Sequence, residues 1–348
     1  MQYPDLVSKQ TVDPVIWGGA TDNALGEQIT RRSHGTEKER VMKRELAISF
    51  TRNWVDASHF EEALQESHMG PHDERVSRVV FQIPEECKLM IDAGIRLLSL
   101  SNQLDFSGKA VTLDFAEGPD GTMGYLSRMG FFDFLCEGVE VLPDRPFYSG
   151  AQVYRGYNPQ LVEIERINPE ERDEALPLKL STVLERNVGH GRDNEAIGTA
   201  AYTVFSELID NIFRHSSTKV DGFASLQVYK GGGRAKVVVS DSGEGILNTL
   251  RPSLTNNHPR LVDYSDTGLI VEAFRNGLSR FGKGNGCGLR TCAIQAIKFR
   301  ADLDVRLHTS RVHLVPSADG YQPSTAYCSD NLHEMWGTHI CFDFVLDR

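Results

Sequence analysis

The chain has 348 residues, 40% hydrophobic and 24% charged, enough apolar material for a sizeable core and too much for a disordered chain. Its 37 Lys and Arg against 48 Asp and Glu leave a net charge of −11. That argues against sequence-independent nucleic-acid binding, which needs clustered cations for the phosphates. No apolar run is long enough to span a bilayer, and the first residues have neither the basic start nor the apolar stretch of a signal peptide. The six cysteines form no CxxC pair, so a structural zinc site is not expected and a reducing cytoplasm is the natural setting.

The length suits two domains with an extension. Residues 1–75 read as an N-terminal helical arm without a globular core of its own. Residues 1–35 are polar and irregular, Thr36 to Trp54 reads as a charged amphipathic helix, and Ser58 can cap a second helix from His59 to Glu66. His72-Asp73-Glu74-Arg75 follows Gly70-Pro71 and precedes a strand-like run, so it reads as coil. Residues 76–150 then alternate as a small α/β domain: strand Val76–Ile83, helix Pro84–Asn102, strand Val111–Phe115, helix Gly121–Leu135, strand Val139–Leu142. Gly150 to Pro159 reads as a linker.

Beyond it, Leu161–Ile167 alternates as a strand, and Glu170–Asn187 is helical with a kink or restart at Pro177. Asp193 can cap a long helix to about His215. Gly222–Tyr229 and Arg234–Ser240 form a hairpin across Gly231-Gly232-Gly233. Residues 247–283 are long, mixed and polar without a continuous period. Helix Gly288–Arg300, a strand-rich Asp304–Val315 and a closing strand Gly337–Leu346 complete the chain.

Three constellations in this half carry chemistry. In Glu207-Leu-Ile-Asp-Asn211-Ile-Phe-Arg214-His215, helical steps place Glu207, Asn211, Arg214 and His215 along one stripe, a polar set that is costly to bury without partners. A solvated helix face is the alternative. In Val237-Val-Val-Ser-Asp241-Ser-Gly243-Glu-Gly245, a β-branched strand ends in a carboxylate that can accept from a ligand amine. Its glycines permit a tight turn and the close approach of a flat ligand. An ordinary strand-to-loop turn is the alternative. In Gly282-Lys283-Gly284-Asn-Gly286-Cys-Gly288-Leu289, alternating glycines lead into a helix N-terminus, where backbone N–H groups and the helix dipole favour phosphate and Lys283 adds a mobile charge. The run is neither a Walker A motif nor a dinucleotide-binding fingerprint.

In this order and spacing the three resemble the N-box, the DxGxG box and the GxGxGL box of the GHKL superfamily: gyrase, heat-shock chaperone ATPases, histidine kinases and mismatch-repair ATPases. The first is closest to histidine kinases and to the serine kinases that inactivate anti-sigma antagonists, and Gly337-Thr338 resembles the closing strand of that fold. The resemblance covers about residues 160–348. It implies an α/β (α+β) class with a Bergerat-type two-layer sandwich, helices on a mixed sheet, and an ATP lid at 247–283. It also implies that Asp241, helped by Thr338, accepts the adenine amino hydrogen bond, with Gly243 and Gly245 against the base. Asn211 would ligate Mg²⁺, and Gly284, Gly286 and Gly288, with Lys283 and Leu289, would line the phosphates. Arg214 and His215 could reach phosphate oxygens, and Glu207 would orient or deprotonate the nucleophile.

Val111–Phe115 and the Gly121-Thr122 helix start give residues 76–150 a resemblance to a STAS-like domain, the fold of anti-sigma antagonists, with no clear phosphoacceptor serine. The implied function is a Mg²⁺-dependent ATPase whose nucleotide-driven lid motion controls a partner. A serine/threonine protein kinase of the anti-sigma type and a nucleotide-gated binding module without turnover are the alternatives. The implied cofactors are ATP and Mg²⁺. An unidentified protein is the expected partner, a homodimer is left open, and no membrane is expected.

Overall fold

Leu46, Ile48 and Phe50 recur at a period of two and are buried, whereas Glu45 and Ala47 at the alternate positions are exposed. That alternation makes Arg44–Ser49 a strand, β1. The computed structural model describes residues 44–187, 194–215, 218–278 and 287–346. Within them the expected helix from Thr36 to Trp54 is corrected. Its described part is β1 and a short strand, β2 (Trp54–Val55). Charged residues of good helix propensity dominate that stretch, but pairing on a hydrophobic face overrides propensity. Helix α1 (Ala57–Gln65) follows, capped by Asp56, whose carboxylate accepts from Ser58 N–H and His59 N–H, and not by Ser58.

Next come β3 (Val76–Ile83), β4 (Lys88–Leu89), α2 (Ile91–Phe106) and β5 (Ala110–Phe115). The helix expected from Pro84 starts later, because Pro84 to Cys87 form a turn with Glu86 at φ 61°. The helix expected over Gly121–Leu135 is two, α3 (Thr122–Met129) and α4 (Phe131–Phe134), divided at Gly130, whose φ of 83° ends the first. After β6 (Glu140–Leu142), the stretch expected as linker carries a short helix, α5 (Gly150–Tyr154). The strands form a parallel sheet in the order β1-β3-β5-β6, and β2 pairs with β4. Residues 44–66 thus contribute a strand and a helix to this sheet's core, where Leu46, Ile48, Phe50, Val55, Phe60 and Leu64 are buried. They are not an arm outside it.

The C-terminal half runs β7 (Leu161–Ile167), α6 (Leu176–Asn187), α7 (Asn194–His215), β8 (Gly222–Tyr229) and β9 (Arg234–Ser240). It continues with α8 (Ile246–Asn257), α9 (Asp266–Asn276), α10 (Cys287–Lys298), β10 (Asp302–Arg306), β11 (Ser310–Ser317), β12 (Gly320–Pro323), β13 (Ser329–Asp330) and β14 (His339–Val345). The sheet order is β12-β11-β10-β14-β9-β8-β7, with antiparallel pairing throughout. Phe205, Leu208 and Ile209 of α7, with Cys292 and Ala296 of α10, share one apolar core with Val237 and Val239 of β9 and with Ile340 and Phe342 of β14. This is the helix-on-sheet sandwich of an α/β protein. No described helix is long and apolar enough to cross a membrane.

The expected lid is largely structured. Of residues 247–283, α8 and α9 bury Leu247, Leu250, Leu254, Leu269, Ile270 and Phe274 in that core. Residues 279–283 lie outside the described ones. Pro252 inside α8 and the polar connection between the helices mask the helical period in the sequence.

The sheet's other face is covered as well. Phe223 of β8, Val238 of β9 and Cys341 of β14 join the core of the parallel layer, and α2 lies between the two sheets. Every residue of α2 from Ile91 to Leu104 is buried, polar ones included. Arg96, 2% exposed, donates to Glu61 Oε1 (2.9 Å) and to Asp304 Oδ1 (2.5 Å). Arg306 donates to the same Glu61 oxygen, Arg311 to Asp304 Oδ2, and Lys236 to Asp92 Oδ2 at 2.6 Å. Burial alone would raise the Asp304 carboxyl, but the Arg311 and Arg96 guanidiniums outweigh it and hold it far below the usual range. Buried charges tolerate such a place only when paired this way.

Candidate functional site

β9 ends at Ser240, and the next residue is the carboxylate predicted to read a ligand. Asp241 is buried at 8% exposure, and backbone holds both of its oxygens. Oδ1 accepts from Gly243 N–H at 2.8 Å and Oδ2 from Thr338 N–H at 3.1 Å. Asp241 N–H donates to the Thr338 carbonyl at 3.0 Å, so the turn after β9 is stitched to the start of β14. Thr338 Oγ1 in turn accepts from Ile246 N–H at 2.9 Å, fixing the first residue of α8. Each carboxylate oxygen keeps a free lone pair, so Asp241 can accept a further bond from a ligand amine. Burial pushes its pKa up to about 6, against the two backbone N–H bonds, which favour the anion.

Two glycines pack the turns around this carboxylate. Gly245 sits at φ 77°, and a Cβ there would stand 2.9 Å from Gly337 O. Gly337 sits at φ 87°, and a Cβ there would stand 2.0 Å from Asp241 O. Both the left-handed backbone and the space require glycine. The result is a tightly packed backbone turn around a buried acceptor.

A second cluster of candidate residues is on α7. Glu207 and Asn211 are one turn apart and both partly buried. The Glu207 carboxylate lies against the first turn of α10, since a Cβ on Gly288 would meet Glu207 Oε2 at 2.3 Å. The first N–H groups of a helix such as α10 have no partner within the helix and lie at the positive end of its dipole, which favours an anion there.

Residues 197–343 match the family described as Histidine kinase-, DNA gyrase B-, and HSP90-like ATPase. This segment is a GHKL-type domain. Comparison with curated proteins and comparison with solved structures each returned no match. The matched span holds all three motifs and stops within β14.

Within the GHKL domain the structure brings Asp241, Gly243, Gly245 and Thr338 together, and separately joins Glu207 to Gly288. Leu289 is buried in the apolar core, where it anchors α10. Lys283, Gly284 and Gly286, and the side chains of Arg214 and His215, lie outside the described residues. Asp210, the carboxylate next to Asn211 on α7, pairs with Arg172 at 2.9 Å. His72 lies in a turn, as its sequence context implied, and stacks on Trp336 with ring centroids 4.8 Å apart. Sequence reasoning left out the supports behind the acceptor, Ser242, Trp336 and α2. The signal available was the run of hydroxyl and amide side chains Ser99, Ser101, Asn102 and Gln103 within α2.

Proposed function

We propose that the protein binds ATP with Mg²⁺ in the GHKL domain and hydrolyses it. The observation that carries this reading is Asp241: a buried carboxylate with a backbone N–H on each oxygen and a lone pair left on each, walled by two glycines that nothing larger could replace. Such an acceptor selects an exocyclic amine over a carbonyl, because a carbonyl facing a carboxylate would leave two acceptors unpaired.

The donor set on α7 fits a metal shared with a polyphosphate. Among the described residues no group of three or more His, Cys, Asp or Glu could hold a metal ion. Mg²⁺ commonly keeps several waters and takes few protein oxygens beside substrate phosphates, and the Asn211 side-chain oxygen would be one of them. When bound, the ion would neutralise charge on the phosphates. Asn211 would hold the ion by its side-chain oxygen, and the N–H groups opening α10 would offer donors to the phosphates.

Glu207, one turn from Asn211 and set against that helix N-terminus, is the chain's candidate for holding and accepting a proton from the attacking nucleophile. The reading extends to control of a protein partner by nucleotide state through residues 247–283, which connect the acceptor turn to α10.

The test uses γ-labelled ATP with the purified full chain and its Glu207→Ala variant. Free labelled phosphate from the wild type, falling about 10²–10⁴-fold in the variant while ATP binding persists, is the expected result. Label on protein would favour phosphoryl transfer over hydrolysis. Binding with neither product would make the domain a nucleotide-gated module.

A further inference from the structure

Gln103 of α2 is fully buried, and its side-chain amide makes three hydrogen bonds to the GHKL domain. Nε2 donates to Ser242 Oγ at 3.0 Å and to the Trp336 carbonyl at 3.1 Å, while Oε1 accepts from Trp336 N–H at 2.9 Å. Ser242 lies between Asp241 and Gly243, and Trp336 directly precedes Gly337 and Thr338. A single amide therefore ties together the two segments whose pairing builds the acceptor.

One turn earlier on α2, Ser99 Oγ is 3.1 Å from Ser240 Oγ. Ser99 and Gln103, four apart on a helix, thus meet Ser240 and Ser242, two apart on an extended segment; the two spacings are nearly equal, about 6 Å and 6.6 Å. Ser240 and Ser242 face α2, and alternation leaves Asp241 to the opposite side. Ser240 also bonds His339 Nδ1, and His339 Nε2 lies 3.0 Å from Trp336 O, closing a buried polar ring behind the site.

We propose that Gln103 is a positioning residue for the adenine acceptor, acting through Ser242 and Trp336 to set the spacing of Asp241 from Thr338 without touching ligand. The proposal rests on the ATP reading above. It places a determinant of nucleotide affinity in the parallel layer, outside the matched span of 197–343. Nucleotide occupancy and the state of the parallel layer are then coupled through α2, since whatever displaces one displaces the other.

The experiment is calorimetric titration of the full chain with ADP, ATP with and without Mg²⁺, and GDP. The variants are Gln103→Leu, which removes all three bonds, and Gln103→Glu, which keeps acceptance from Trp336 N–H and can accept from the Ser242 hydroxyl. In Gln103→Leu, ADP and ATP affinity are expected to fall together by about 10–100-fold. The gain from Mg²⁺ should be unchanged and the preference for ADP over GDP should narrow. Gln103→Glu should recover part of the loss and stay about 3–10-fold weaker than wild type. It carries the test alone if the leucine variant does not fold. A structural role would lower the melting temperature without moving the base preference. Wild-type ADP affinity in the variants, whatever their melting temperatures, overturns this proposal and leaves the ATP reading intact. Wild-type protein that is folded and binds no adenine nucleotide overturns both.

Discussion

The backbone of Gly288, at the start of α10, lies so close to the carboxylate of Glu207 on α7 that one added methyl group would stand 2.3 Å from Glu207 Oε2. The nearest obstacle is the tip of a flexible side chain, and the position is helical, where alanine is favourable. Gly288→Ala should therefore fold normally and push the carboxylate aside without deleting it. Displacement of about 1 Å at a reacting group can cost about 10²-fold. ATP turnover should fall on that order while the melting temperature stays near wild type. Turnover at the wild-type rate would show that the placement of Glu207 has no part in the reaction.

Asp241 gives ATP affinity a pH dependence of defined sign. Its folded pKa is raised to about 6 from 3.8, so the carboxyl takes up a proton as the pH falls through 6. Protonation turns one acceptor oxygen into a donor, and adenine binding should weaken below pH 6. In the free protein the sign is the reverse of a salt-bridged carboxylate: between pH 3.8 and 6 the folded state holds the extra proton, so this group lowers stability as the pH rises across that window and adds no further change above it. Asp241→Asn should bind ATP weakly at every pH and show no inflection near 6. Titrations at pH 5.5 and 7.5 on both proteins separate these outcomes.

Asn211→Ala should leave ADP affinity in the absence of metal close to wild type. The strengthening of ATP binding by Mg²⁺ should be largely lost, since the adenine acceptor lies on a different element. An equal metal effect in both proteins would remove Asn211 from the ligand set.

Arg96 bridges Glu61 and Asp304 at the centre of the layer interface. Arg96→Ala leaves both carboxylates short of a partner in a dry environment, although Arg306 and Arg311 remain. The expected loss is about 3–5 kcal/mol in denaturant unfolding, with both layers unfolding in one transition. Two separate transitions would mean that the layers fold independently.

The motif residues were legible because their chemistry is local. A strand ending in Asp241, glycines at Gly243 and Gly245, and a stripe of Glu207 and Asn211 follow from period and spacing alone. Arg44–Ser49 was misread because its strand state is decided by pairing with Val76–Ile83, and the charged residues around it carry helix propensity. The 247–283 segment hid two helices because Pro252 and a polar connection interrupt their period. Gln103 was invisible as a site support for a different reason. Its partners lie 139 and 233 residues away, and no local pattern encodes that meeting.

The same separations bear on how the chain is made. Arg96 leaves the ribosome 208 residues before Asp304, and Glu61 leaves 245 before Arg306. At about 5–20 residues per second, Arg96 waits about 10–40 s for its partner. Until β8 and β9 emerge, α2 has one half of a buried interface without its complement, its apolar flank open to the wrong neighbours, and Arg96 then still lacks Asp304. The nascent parallel layer is thus a species to be shielded, and its release into a closed fold is timed by the arrival of β10 and β14.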